Sequence, residues 1–229
     1  MSAENFYGSL EKFQEFLDES DELPQVRDSF GYRFLKRGFD ILASLGGLTL
    51  LLPLFPFIVL LIKLETSGPI FFQQERVGFE GRLFGCYKFR SMAVDAEAQK
   101  SKLAHLNEAT GAAFKIKNDP RITGVGSFLR RSSLDEFPQL FNILKGDMSV
   151  IGPRPQIPSE VADYTAEQAQ RLLVRPGLTC LWQVSGRSHL DFSEWMELDR
   201  EYVQKRSLFF DLKILARTLP AVIDRRGAY

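Results

Sequence analysis

The sequence predicts a helix-rich α+β protein, in which a broken apolar membrane segment is followed by a domain with a small β element and interfacial helices. Three observations lead to the broken segment and the domain. Residues 41–62 contain no charged side chain. Two short β-like runs follow, joined by a glycine turn. Helical apolar spacing then recurs through most of the remaining chain. Apolar residues make up 45% and charged residues 25%, which excludes chain-wide disorder.

Residues 1–30 carry eight acids and two bases, a net −6, which leaves +6 for the rest of a neutral chain. Phe6, Leu10, Phe13 and Leu17 are spaced for a short amphipathic helix. Asp21 to Asp28, with Pro24, reads as a linker. Segment 1–30 is therefore set apart from a mildly basic body suited to anionic lipid or phosphate. A solvated charged face fits those charges equally well. Overall neutrality and the lack of a basic aromatic groove argue against nucleic acid.

Segment 31–63 holds the apolar run. From Ile41 to Ile62 it is long enough for a membrane helix, which needs roughly 20 residues. It starts too far along the chain for a standard secretory signal. Pro53 and Pro56 predict a break near Leu52–Pro53. Arg33, Lys36 and Arg37 precede it and Lys63, Arg76, Arg82 and Lys88 follow, so positive charge does not choose a direction. On these residues alone, a hairpin returning to the same face and a kinked spanning helix fit equally.

Segment 64–229 forms the main domain. Ile70–Phe72 and Leu83–Phe89 read as strands with a turn at Gly78–Gly81, and Val94 to Leu106 as a helix. Asp119–Pro120 marks a turn. Residues 133–146 predict a helix with Ser133 as N-cap, Glu136 completing a capping box, an apolar stripe of Phe137, Leu140, Phe141 and Leu144, and Gly146 at the C-terminal cap. Asp191 and Glu194 start another helix. Leu208 to Leu219 forms the last, stopped by Pro220. Cys86 and Cys180 are too few for a disulfide framework.

Asp135–Glu136 is the chemical candidate. Capping and the helix dipole account for the pair by themselves. The surroundings add to it. Arg154 stands between Pro153 and Pro155, where restricted backbone angles can present its guanidinium to a phosphate. Arg130, Lys88 and Arg90 offer further cations. Two acids among such cations suit a site holding Mg²⁺ and phosphate together, with Asp135 and Glu136 as metal ligands. A surface salt-bridge cluster has the same one-dimensional pattern.

These residues lie in motifs that resemble the bacterial sugar transferases, the monotopic phosphoglycosyl transferases. In order they are Tyr87-Lys-Phe-Arg-Ser-Met92, Asp119-Pro-Arg-Ile-Thr123, and Leu129-Arg-Arg-Ser-Ser-Leu-Asp-Glu-Phe-Pro-Gln139. Gly146-Asp-Met-Ser-Val-Ile-Gly-Pro-Arg-Pro155, Arg175-Pro-Gly-Leu-Thr179 and Trp182-Gln-Val-Ser-Gly-Arg187 complete the set. The resemblance runs from about Arg33 to Gly227-Ala-Tyr229. It implies transfer of a sugar 1-phosphate from a UDP-sugar, with a hexose favoured, to undecaprenyl phosphate, releasing UMP. It also implies a covalent phosphosugar intermediate on Asp135, and initiation of exopolysaccharide, capsule, O-antigen or glycan assembly. The family's membrane helix breaks at a Ser-Pro pair; here the position reads Leu52-Pro53. The implied location is the bacterial inner membrane, with the catalytic domain on the cytoplasmic face. UDP-sugar, undecaprenyl phosphate, membrane lipid and a second copy of the chain in a homodimer are the expected partners. Because both phosphate substrates must meet on one side, the resemblance adds that the broken segment is a re-entrant membrane helix-hairpin. The alternatives are an inactive membrane-anchored scaffold of the same fold and a glycosyltransferase that releases UDP.

Overall fold

The computed structural model describes Phe13, Val26, residues 29–108, Ile116, residues 118–186 and residues 190–223. Helices dominate, with two small sheets. The chain runs through α1 (Phe30–Leu51), α2 (Phe55–Glu65), β1 (Phe71–Val77), β2 (Leu83–Phe89), α3 (Ala96–Gln99), α4 (Gly124–Arg131), α5 (Gln139–Lys145) and β3 (Ser149–Ile151). It continues through α6 (Pro158–Val161), α7 (Ala166–Ala169), β4 (Gly177–Thr179), α8 (Leu181–Ser185), α9 (Phe192–Lys205) and α10 (Leu208–Ile223).

The apolar segment breaks where its prolines sit. A turn at 52–54 separates α1 from α2, and the two are bent by 63°. Among the described residues no single helix is long and apolar enough to cross a membrane, although the bent pair together meets that length and composition. Leu42, Leu50, Leu52, Phe57, Leu60 and Leu64 are exposed along it. Both ends of the pair are fastened to the rest of the chain. Lys36 Nζ donates to Ile151 O at 3.0 Å and to Asp211 at 2.8 Å. Arg37 donates to Ile143 O and Leu144 O in the last turn of α5, where helix carbonyls lack a full set of backbone partners. Asp40, buried, accepts from Ser149 Oγ and Val150 N, both at 2.9 Å. At the other end, Glu65 accepts from Gly124 N and Val125 N in the first turn of α4.

β2 covers the expected Leu83–Phe89, whereas β1 runs on from Phe71 to Val77 instead of ending at Phe72; the two pair antiparallel, from Phe71↔Phe89 to Val77↔Leu83. A second, parallel pair of β3 and β4 was not foreseen. It holds two glycines back to back. A Cβ on Gly177 would lie 2.1 Å from Gly152 N, so only glycine allows this approach. The buried core gathers Leu140, Ile143, Met148, Val150, Ile151, Leu181, Tyr202, Val203 and Ile214 between these elements.

α9 starts at Asp191 as expected, and the structure adds a capping box between Asp191 and Glu194. Three expectations are corrected. The helix expected over Val94–Leu106 is a short α3 followed by a 3₁₀ turn at Ser101–Leu106, whose residues bury nothing that would hold a regular helix. Pro220 lies inside α10 rather than ending it; proline deletes one bond, the one to Ala216, and the next turn still forms. The helix expected over 133–146 is split into a 3₁₀ turn at Leu134–Glu136 and α5. Gly146 does cap α5, at φ 92. Of the N-terminal stripe, Phe13 is helical and buried against Val77, Val161 and Leu172. Phe6, Leu10, Leu17, most of the linker, Arg187 and the Gly-Ala-Tyr ending lie outside the described residues.

Candidate active site

Asp135 and Glu136 sit in the 3₁₀ turn between α4 and α5. The expected capping box is absent. Ser133 is left-handed, at φ 57, and its N–H goes to Arg130 O. Glu136 therefore does not fold back on it. A non-glycine residue at positive φ carries local strain, here two residues before the dyad.

Glu136 instead turns to two cations. Lys88 Nζ lies 2.8 Å and Arg154 Nη2 3.0 Å from Oε1. Burial alone would raise the Glu136 carboxyl, but Arg154 and Lys88 hold it well below the usual range. Arg154 is in turn held more firmly charged, chiefly by Glu136. Asp135 is the opposite case. It is buried, and no hydrogen bond or ion pair reaches its carboxylate among the described residues. Burial pushes it up to about 6, with the Glu136 charge adding to that and Lys88, Arg130 and Arg154 opposing it. Adjacent carboxylates thus have different tasks available: Glu136 is a fixed anion, and Asp135 an unpartnered one.

Each cation is aimed by a separate element. Lys88 projects from β2, which Asn142 of α5 secures by accepting from Tyr87 N and donating to Gly85 O. Arg154 follows β3, where Gly177 N bonds to Pro153 O and Arg171 donates to the Arg154 carbonyl at 2.6 Å. Arg171 is itself buried against Asp199 at 2.7 Å. Arg130 donates from Nε to Ser91 Oγ and, with Lys88, Asp135, Glu136 and Arg154, lines a cleft of about 790 Å³. Arg90 is the exception among the predicted phosphate ligands. Its terminal nitrogens donate to Ser67 O, Thr66 O and Thr66 Oγ1, fixing the loop after α2. Arg90 borders the cleft, but its hydrogen bonds are structural.

Several contributors were missed from the sequence. Arg76 lines the cleft and donates to Pro155 O. Trp182 and Trp195 stack at 4.5 Å between ring centroids, forming an aromatic wall near Arg171, which lies 5.4 Å over Trp195. Their positions depend on α8 and α9 meeting, which no local motif announces.

For a divalent cation, no group of three or more His, Cys, Asp or Glu side chains converges among the described residues. The donor set still suits Mg²⁺, which needs only one or two carboxylates when phosphate oxygens and water complete its shell. Asp135 has no competing partner, and both bonds to Glu136 fall on one oxygen.

The chain is similar to known proteins over most of its length. The bacterial sugar transferase model matches residues 31–225. The chain is 44% identical over 200 residues to the galactosyl transferase CpsE of Streptococcus agalactiae, covering 87% of this chain and 44% of that protein. It is 45% identical over 203 residues to the undecaprenyl-phosphate galactose phosphotransferase of Salmonella typhimurium, covering 86% and 42%. It is 43% identical over 198 residues to the exopolysaccharide production protein ExoY of Rhizobium meliloti, covering 85% and 88%. The chain thus spans less than half of the first two relatives and most of the third. With a family match across nearly all of its described body and Asp135, Glu136, Lys88 and Arg154 gathered in one cleft, this chain belongs to the bacterial sugar transferases.

Proposed function

We propose that the protein transfers a hexose 1-phosphate from a UDP-sugar to undecaprenyl phosphate, giving undecaprenyl-diphosphate-sugar and UMP, at a cytoplasmic membrane face. The observation that carries this reading is the buried, unpartnered Asp135 beside a Glu136 that already holds two cations. In the first step an Asp135 carboxylate oxygen attacks the phosphorus bearing the sugar. The P–O bond to the UMP portion breaks, and UMP leaves. In the second, an oxygen of the lipid phosphate attacks the same phosphorus, and the bond to Asp135 breaks. The acceptor is already an anion, so this step needs no base. Carboxylates are weak nucleophiles, and the phosphorus must be relieved of negative charge. Lys88, Arg130 and Arg154 supply positive charge, with Glu136 holding the first and last in place. Mg²⁺ held by Asp135 and Glu136 would further neutralise the diphosphate. α5 begins at Gln139, after the dyad, so this positive charge comes from side chains rather than from the N-terminus of an α-helix.

Two features support a hexose and a membrane site. Two of the three relatives described above are named for transfer of galactose, a hexose. The bent pair also has the dimensions of a re-entrant element: arms of about 33 and 16 Å meeting at the observed bend put their apex about 11 Å from the line joining their ends, within one leaflet. Its two ends are bonded to the same body, which a spanning helix would separate. Incubation of the full chain with UDP-galactose alone should trap a phosphosugar on Asp135 with stoichiometric UMP, and undecaprenyl phosphate should discharge it. UDP release, or obligatory formation of a ternary complex without an adduct, would refute the mechanism.

A further inference from the structure

We infer that the end of the cleft formed by Pro69, Phe71 and Phe72 binds the isoprenoid chain of the lipid acceptor next to its phosphate. This rests on the proposed function and assigns a place within it. The cleft has two unlike ends. β1 begins five residues after α2 ends, and Arg90 holds the connecting loop by the Thr66 and Ser67 carbonyls. Phe55 of α2 stacks on Phe71 at 6.1 Å, and Phe71 on Phe89 at 5.5 Å, so aromatic contacts join the apolar helix pair to the sheet. β1 then runs about 20 Å at 3.3 Å per residue toward the end where Arg76 meets Pro155. The Trp182–Trp195 wall lies toward that end, through Arg171 and the Arg154 carbonyl.

Strand register places the change of chemistry. Phe72, Gln74 and Arg76 alternate along the face that lines the cleft. Phe72 is directly paired with Lys88, so the two side chains stand on the same face about 5 Å apart at Cβ. Lys88 in turn reaches Glu136 at 2.8 Å. An apolar wall thus changes to a cationic site within one cross-strand pair. Phe71 remains 41% exposed, which leaves apolar surface beside α2. A polyprenyl phosphate has the matching division: an anionic head bonded directly to an apolar chain arriving from the bilayer. The donor, with no lipid part, would then occupy the opposite, aromatic end.

The test uses the full chain in nanodiscs and a polyprenyl phosphate carrying a diazirine on an isoprene unit near the phosphate. Photolysis should label the tryptic peptide 64–76. Unlabelled polyprenyl phosphate should compete and an equal excess of phosphatidylglycerol should not. Phe72→Ala should raise KM for polyprenyl phosphate roughly tenfold, as loss of much of a buried ring's transfer energy requires. Adduct formation from UDP-galactose should stay within about twofold, showing an intact fold and first step, and Phe72→Leu should recover most of the acceptor affinity. Labelling elsewhere, competition by phosphatidylglycerol, or equal loss of adduct formation and turnover in Phe72→Ala would overturn the inference. Labelling of 64–76 without a wild-type adduct would instead refute the covalent mechanism and leave the acceptor site standing.

Discussion

Asp135→Asn should abolish the adduct and at the same time stabilise the fold. Asp135 is 7% exposed, and its carboxylate receives no compensating bond among the described residues, so the amide forfeits nothing there. Burial raises its carboxyl from 3.8 to about 6. At about 1.36 kcal/mol per pH unit, keeping it charged at neutral pH costs the folded state about 3 kcal/mol. The sign follows from proton binding. Below about pH 4 the group is protonated in folded and unfolded chains alike, and the cost is absent. It grows as pH rises to about 6 and is constant above. For a domain of this size the variant should melt about 6–12 °C higher at pH 7.5 and at the wild-type temperature near pH 4. Scanning fluorimetry across that pH range measures the difference. A Tm equal to or below wild type at pH 7.5 would show that the carboxylate has a partner and is not held in readiness for a donor. The same titration predicts that wild-type adduct formation falls as pH drops through about 6, because the protonated acid is not a nucleophile.

Arg154→Lys should lower kcat/KM at least tenfold with little change in Tm, because an ammonium cannot serve Glu136 and a phosphate as the guanidinium fork can; wild-type turnover would remove Arg154 from the site. Gly177→Ala should cost several kcal/mol and most activity, since its Cβ would strike Gly152 N in the backbone that presents Arg154; chemical denaturation with a parallel UMP assay reads both. Single cysteines at Ser29 and Ser67, in a chain lacking Cys86 and Cys180, should react with an impermeant maleimide only from the cytoplasmic side. Periplasmic labelling at residue 29 would make the bent pair a spanning segment.

Features written in consecutive residues were legible before the structure. Pro53 marked the helix break, the turn at Gly78–Gly81 and the run Leu83–Phe89 gave β2 with only the start of β1, and Asp191 with Glu194 gave the start of α9. Asp135, Glu136, Lys88, Arg130 and Arg154 were named from motifs and are brought together in one cleft. What failed was local reasoning against a tertiary competitor. Ser133 and Glu136 have the spacing of a capping box, but Lys88 and Arg154, remote in sequence, offer Glu136 charge-assisted bonds worth more than one backbone N–H. Arg90 borders the same cleft as Lys88, but the Thr66 and Ser67 carbonyls, brought near by the loop after α2, take its terminal nitrogens, a tertiary contact that no local pattern announces. The β3–β4 pair, Asn142 and the Arg171–Asp199 ion pair arise from contacts between distant segments and left no periodic trace.

The bonds from Asp40 to the first residues of β3 make the apolar helix part of the machinery it carries. Ser149 and Val150 lie only a few residues ahead of Arg154, so the apolar helix pair and this cleft arginine share one short lever. Removing residues 1–63 to obtain a water-soluble enzyme would strip the partner from two buried polar groups and leave the α5 carbonyls without Arg37. Such a truncation is a poor route to crystals or to an inhibitor screen. The useful reagent is the intact chain, and compounds that pry α1 from β3 should disturb Arg154 without entering the cleft.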